Sequence, residues 1–286
     1  MANTDPGAPE YEFDWQNPDR KKFDVGRVVS KTFAALRNNP VPFILLTLLS
    51  AGIPMMIFSL WPVLLGVGEG INIYDPTWTE DIAWEGIIGL VIIAYIFWLL
   101  IAVVMYGALI KMSVNALNGR PVYLGESLRT GLKYFLPLLG IIIIYSVSMI
   151  IGFLLLIIPG VFIMLGWAFA MHIKVIEDET VTGALSRAWS LSKGYKRWIL
   201  LMMIIFGVLG AVIGLVFQIP VLFFGNSQTA MFEGGSTGFW IANAIASGLS
   251  QMVAAALSYV GLTATYLEVR RVKEGVDSEK IADIFN

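Results

Sequence analysis

Few residues in this chain have side chains suited to catalysis. It has no cysteine and one histidine, His172, among 286 residues. A disulfide framework, a thiolate metal site and a cysteine nucleophile are therefore excluded. His172 stands one turn before Glu177, a spacing that suits a pH sensor or proton carrier; the simpler expectation is an interfacial histidine with no further role. A literal G-x-S-x-G occurs at Gly234-Gly235-Ser236-Thr237-Gly238. A hydrolase elbow needs a strand before the serine, a helix after it and a histidine base. Here the motif falls in a Gly-rich loop, and the sole histidine is expected near the opposite face. No P-loop or dinucleotide fingerprint is present. The acids Glu177, Asp178 and Glu179 are consecutive, and consecutive helical residues do not share a face. They are expected as negative charge at a helix start rather than as a cation site. No catalytic, cofactor or metal residue is assigned, and no cofactor is expected.

The chemistry that remains is electrostatic. The 19 Lys and Arg residues fall in clusters at Arg20 to Arg37, Lys111 to Lys133, Lys174 to Arg197, and Arg270 to Lys280. The loops 69–85 and 225–238 contain no basic residue. Cytoplasmic loops of membrane proteins retain Lys and Arg, so the pattern predicts an integral membrane protein and the side each loop faces. Composition agrees. Residues are 57% hydrophobic and 14% charged, against about 25% charged in a soluble domain. The net charge of −2 gives no reason to expect nucleic acid as a partner.

A bilayer core of about 30 Å needs roughly 20 apolar residues in a helix. Six stretches meet or approach this, at 41–67, 86–110, 135–158, 160–176, 199–223 and 239–267. The expected fold is all-α and polytopic: six transmembrane helices as three hairpins, each preceded by a short cytoplasmic amphipathic helix, with both termini inside. Pro159-Gly160 reads as the turn between the third and fourth spans. Trp61, Trp78, Trp84 and Trp240 suit the outer interface, and Trp198 the inner one. The expected domains are an acidic disordered tail at 1–22, a membrane domain at 23–268 and a cytoplasmic tail at 269–286. The start of the chain is acidic and polar, so the first span is expected to insert uncleaved. The tail alternates acid and aromatic residues from Glu10 to Trp15 and is expected to be solvated, with partner docking the lesser reading.

Over 181–193, Val181, Ala184, Leu185, Ala188 and Leu191 recur at helical spacing, and Arg187 and Lys193 leave that face. A basic amphipathic helix with a tryptophan suits the membrane interface. The same pattern covers 24–37 and, more loosely, Gly125 to Lys133, which suggests a threefold repeat. Lys31, Arg129, Arg187, Trp189 and Lys193 are the candidate contacts for anionic lipid headgroups or for a protein partner at the cytoplasmic face. Asn243, Ser247 and Gln251 form a polar stripe on the sixth span, a candidate polar groove or a set of interhelical hydrogen bonds. Gly207, Gly210 and Gly214 mark a close-packing face on the fifth span. Pro54 and Pro62 are expected to kink the first. The middles of the spans hold no Asp, Glu, Lys or Arg, which argues against proton-coupled transport.

One segment carries a further signal. After Pro159-Gly160 and an apolar span come Glu177, Gly183-Ala184-Leu185, Arg187, Trp189, Leu191 and Lys193-Gly194. This resembles the membrane domain attached to some bacterial glycerophosphodiester phosphodiesterases, and related stand-alone bacterial inner-membrane proteins of unknown role. The resemblance covers roughly 40 residues sharply. It implies a helical inner-membrane domain. It implies no activity, since the phosphodiesterase chemistry of that family belongs to a separate soluble barrel. The resulting expectation is a non-enzymatic multi-pass protein of the bacterial cytoplasmic membrane, acting as a scaffold that meets lipid or a partner at its inner face. The alternative is a transporter or flippase of a lipid or amphiphile.

Overall fold

The computed structural model describes residues 22–60, 84–223 and 237–275. Residues 1–21 and 276–286 of the expected tails, most of both base-free loops, Trp61, Trp78, the Trp84 side chain and the G-x-S of the serine motif lie outside the described residues; the expected C-terminal tail begins at 269, but the last helix continues through it to Glu274. Within them every regular element is helical. In chain order these are α1 (Val25–Asn38), α2 (Pro40–Thr47), a π-helical turn (Leu48–Gly52) and α3 (Ile53–Ser59). Then come α4 (Trp84–Leu117), α5 (Leu124–Lys133), α6 (Phe135–Leu155), α7 (Ile157–Gly166) and α8 (Ala170–Glu177). The last are α9 (Val181–Ser192), α10 (Lys196–Gln218), a 3₁₀ turn (Ile219–Phe223) and α11 (Thr237–Glu274). Six segments are long and apolar enough to cross a membrane: Pro40–Ser59, Ile88–Leu117, Phe135–Leu155, Ile157–Glu177, Lys196–Phe223 and Thr237–Glu274. Short helices α1, α5 and α9 stand before the first, third and fifth of these, at the positions the periodicity predicts.

Burial is polarised along the bundle. The largest core cluster joins α4, α6, α7, α8, α9, α10 and α11 around Leu138, Phe169, Ile173, Ala184, Leu191 and Tyr266. Leu154, Leu155, Leu156, Ile157 and Ile158 are all exposed. Such a surface suits hydrocarbon rather than water as solvent. Helix α11 is the pillar of the structure. It packs against α10, the first span, α1 and α4, and from Val260 to Arg270 only Leu262 is not fully buried.

Each interruption of a span has a local cause. Pro54 lacks the N–H that would bond Ser50 in an α-helix. The turn before it widens to π geometry, with the Ile53 N–H bonding the Leu48 carbonyl. The Ser50 carbonyl accepts instead from the indole Nε1–H of Trp98 on α4, at 3.4 Å. At the same turn Gly52 meets Gly248 of α11. A Cβ on Gly248 would sit 2.8 Å from the Gly52 carbonyl oxygen, so the backbones of the first and sixth spans approach closely here.

Between α6 and α7 the break falls at Leu156, which is extended at φ −168° and ψ 155°, not at Pro159-Gly160. Proline is tolerated in the first turn of a helix, and Pro159 lies there in α7. A Cβ on Gly160 would lie 2.6 Å from Phe153 Cγ, so this glycine permits α7 to pack on α6 rather than forming the turn.

The fourth span is broken again after Gly166. Its carbonyl would accept from Ala170 N–H in a continuous helix, but that N–H bonds the Trp167 carbonyl at 3.0 Å. The hydroxyl of Ser192, at the end of α9, donates to the freed Gly166 carbonyl at 3.1 Å. The Trp189 ring covers the same residue, since a Cβ on Gly166 would lie 2.3 Å from Trp189 Cε3.

The Gly52–Gly248 contact generates a prediction. Gly248→Ala places a methyl against backbone that cannot rotate away, at a cost of about 1–3 kcal/mol. Gly207→Ala, which meets nothing within 4 Å, leaves the thermal midpoint in detergent unchanged. Equal midpoints for the two variants would contradict this packing.

Candidate functional site

The most organised polar chemistry lies where α8 turns into α9. Helix α8 ends at Glu177, and Asp178 caps it in the left-handed region at φ 53°. The Lys174 ammonium reaches Asp178 Oδ1 at 2.9 Å. The hydrogen bond and charge of Lys174 hold the Asp178 carboxyl below its ordinary value. The Thr180 hydroxyl oxygen accepts from Gly183 N–H at 3.1 Å and so caps the N-terminus of α9. The three consecutive acids therefore do not load one helix start, as the sequence suggests. They straddle a break, which lets Glu177 face inward and Asp178 fold back on its own helix, while Glu179 stays exposed.

Glu177 is the centre of a closed ring of charges. Its Oε2 accepts from Arg187 Nε of α9 at 3.1 Å. Arg187 Nη2 lies 2.6 Å from Glu274 Oε1. The other oxygen of Glu274 accepts from Arg270 Nε at 3.1 Å, and Arg270 Nη1 returns to Glu177 Oε1 at 3.5 Å. Tyr266 sits inside the ring. Its hydroxyl donates to Glu177 Oε1 at 2.7 Å and accepts from Arg270 Nη1 at 3.2 Å. Burial alone would lower the pKa of Arg187; the hydrogen bond and charge of Glu177, with help from Glu274, outweigh it and hold the guanidinium above its ordinary value. Two acids and two bases balance, so the ring carries no net charge. An intact buried ion pair contributes little net stability, whereas removing one partner is costly. The ring therefore sets position more than it adds stability.

Beneath the ring, His172 is fully enclosed rather than interfacial, at 1% exposure. Its ring stacks on Tyr266 with centroids 5.8 Å apart. Its Nε2 lies 3.2 Å from the Thr263 hydroxyl, which itself donates to the Tyr259 carbonyl at 2.8 Å. Nε2 must then carry the proton, and Nδ1 has no hydrogen-bond partner among the described residues.

Other charges stitch the neighbouring elements. Glu268 accepts from Arg271 Nε and Nη2 at 3.1 and 2.8 Å and from Asp24 N–H at 3.3 Å. Lys111, buried in α4, pairs with Glu126 of α5 at 3.1 Å. The ammonium of Lys273 donates to the carbonyls of Ser190, Leu191 and Lys193 at the end of α9, where a cation complements the helix dipole.

The candidate contacts separate into different environments. Arg187 is consumed by the ring. Trp189 is partly exposed, seated on Gly166, with the Lys196 ammonium 3.9 Å above its ring. Lys193, Lys31 and Arg129 are exposed on α9's end, α1 and α5. In the polar stripe, Ser247 accepts from Gln218 at 3.3 Å, Asn243 is half-buried and Gln251 is exposed. Ser250, one turn beyond Ala246, donates to the Gly214 carbonyl across the α10–α11 contact at 3.0 Å. Among the described residues no group of three or more His, Asp or Glu is placed to hold a metal ion.

Sequence reasoning missed Tyr266, Arg270 and Glu274. Their signal was present as a series four residues apart at the end of the last helix, which places all three on one face. The expected end of that span at 267 cut through the series.

A family described as a domain of unknown function (DUF7847) matches residues 141–269, less than half of the chain. The match runs from α6 into the end of α11. It takes in Glu177, Arg187 and Tyr266 and stops just before Arg270. No curated protein and no solved structure matches the chain.

A double-mutant cycle tests the ring. Glu177→Gln leaves two guanidinium groups short of a charge and costs about 2 kcal/mol. That is below the value for a fully buried pair, because Arg187 retains 33% side-chain exposure. Combined with Arg187→Gln, the losses fall short of additivity by about 1 kcal/mol. Strict additivity in chemical unfolding would show that the two residues act independently.

Proposed function

We propose that this chain is a non-enzymatic multi-pass protein of a bacterial inner membrane that gathers anionic lipid at its charged end. In this reading the six spans form three hairpins, each preceded by one of the short helices, and both termini face the cytoplasm. The base-free loops then lie outside, as retention of Lys and Arg requires. The resemblance of residues 159–198 to an inner-membrane domain supports the choice of membrane.

One observation carries the lipid reading. At this end the acids are turned onto internal partners: Asp24, Glu126, Glu177, Asp178, Glu268 and Glu274 all form ion pairs. Among the described residues only Glu179 is an exposed acid without a partner. Lys31, Arg37, Arg129 and the Lys193 ammonium are exposed bases without one. The protein is near neutral overall, yet this surface presents surplus positive charge. Each base near an anionic leaflet is worth about 1 kcal/mol.

A transporter or flippase for an amphiphile is the second reading, favoured by the two interrupted spans. Non-helical backbone at membrane depth is tolerated where protein or a cavity surrounds it, and broken helices are common in transporters. The freed carbonyls of Ser50 and Gly166 are already occupied by Trp98 and Ser192, which suits bracing more than substrate binding.

The lipid reading is tested by the lipids that remain bound after mild detergent extraction. Phosphatidylglycerol is expected to be enriched over its share of the membrane, and the triple variant Lys31→Gln, Arg37→Gln, Arg129→Gln is expected to lose that enrichment while inserting normally. A bound lipid composition equal to that of the bulk membrane would overturn the reading.

A further inference from the structure

We infer that the cleft between α1, the end of α4 and α11 seats a monoanionic phosphodiester headgroup. This deepens the lipid reading and rests on it. The walls of the cleft include Val28, Leu117 and Leu267, and its polar side is Lys31, Glu268 and Arg271. The enclosed space is about 20 Å³, close to the room one water molecule needs. A ligand therefore sits across the mouth rather than inside.

The charges at the mouth do not cancel. Glu268 takes the Nε and Nη2 donors of Arg271 and has Arg27 Nη1 at 3.8 Å. Asp24 takes Arg27 through its backbone N–H at 3.0 Å and its Nη2 at 3.1 Å. Arg27, Arg271 and Lys31 thus face two carboxylates, which leaves a surplus of one positive charge. Lys31 has no hydrogen bond or ion pair among the described residues, and Arg271 keeps Nη1 for a further acceptor. A phosphate oxygen bridging Lys31 Nζ and Arg271 Nη1 meets that surplus. One negative charge matches it; a second would face Glu268.

The apolar walls decide the source of the phosphate. Beside Asp24, Phe23 stacks on Trp198 with ring centroids 5.4 Å apart. The partly exposed Phe33 follows Lys31 on the outer side of α1. Aromatic residues at this level suit the headgroup region. A glycerophospholipid places its glycerol and upper acyl chain against Val28, Leu117 and Leu267. A free phosphate ion gains nothing from them.

The test is native mass spectrometry of the full chain in detergent, titrated with phosphatidylglycerol, phosphatidylcholine and inorganic phosphate. Lys31→Gln is expected to weaken phosphatidylglycerol binding about fivefold, as loss of one interfacial base implies. Lys31→Arg is expected to restore it, and Arg129→Gln to change it less than twofold. Lys31 is exposed and has no internal partner to lose, so an unchanged thermal midpoint is expected to accompany the loss. If wild type binds phosphatidylglycerol no better than phosphatidylcholine, the lipid reading itself falls, and this site with it. If wild type prefers phosphatidylglycerol but Lys31→Gln binds as wild type does, or no worse than Arg129→Gln, the lipid reading stands and this site is wrong. Inorganic phosphate binding that depends on Lys31 as strongly as the lipid does would overturn the lipid source.

Discussion

A carboxylate at the end of a membrane-crossing helix must find its counter-charge inside the protein or be drawn into water. Glu177 ends the fourth span and finds two guanidinium groups and a phenol. Much of the local architecture follows from that placement. Arg187 reaches Glu177 only if α9 doubles back directly after α8, and the Asp178 left-handed cap and the Thr180 N-cap produce that turn. Arg270 and Glu274 take part only if α11 continues past its apolar stretch. The last helix therefore remains helical through Glu268 and Arg270, in the most buried section of its length. Two consecutive helices and the distant end of a third are fixed by one set of charges that sums to zero.

The backbone obeys the same rule. At two points where a span loses a helical hydrogen bond, a side chain from elsewhere supplies a donor: Trp98 for the Ser50 carbonyl freed by Pro54, and Ser192 for the Gly166 carbonyl freed by the break in the fourth span. Each substitution also joins two elements. The first ties span one to span two, and the second ties α9 to the middle of span four. Glycines stand where the resulting approach leaves no room for a Cβ. Helix α9 is thus held from three directions, by Ser192 and Trp189 on Gly166, by Arg187 in the ring, and by Lys273 against its terminal carbonyls.

Charge segregation and apolar run length were enough to read six spans and three short helices, because both depend on average chemistry over many residues. The amphipathic faces of α1 and α9 were legible for the same reason: Val28, Ala184, Ala188 and Leu191 are buried as their spacing requires. What was not legible depends on long-range geometry. Arg187 reads as a free base on an exposed face until Glu274, far along the chain, is seen opposite it. Pro159-Gly160 has the composition of a turn, yet the turn is at Leu156, and the glycine is demanded by Phe153 instead. His172 reads as interfacial because charged residues follow it within a turn, whereas α11 passes over it and encloses it. Lys31, Arg129 and the Lys193 ammonium stay exposed and unpaired among the described residues, whereas Arg187 does not.

Pairing the acids with bases of the protein itself leaves Lys31, Arg37, Arg129 and the Lys193 ammonium unpaired among the described residues, so the charge ring and the basic surface are two consequences of one arrangement. The ring around Glu177 ties α9 to the end of α11. Hydrogen–deuterium exchange on the full chain in lipid nanodiscs, comparing wild type with Glu177→Gln, addresses it directly. Amides of 184–192 and of 266–274 are expected to lose protection together, while those of α6 and α10 keep theirs. Loss confined to α9, with the end of α11 as protected as in wild type, would contradict it.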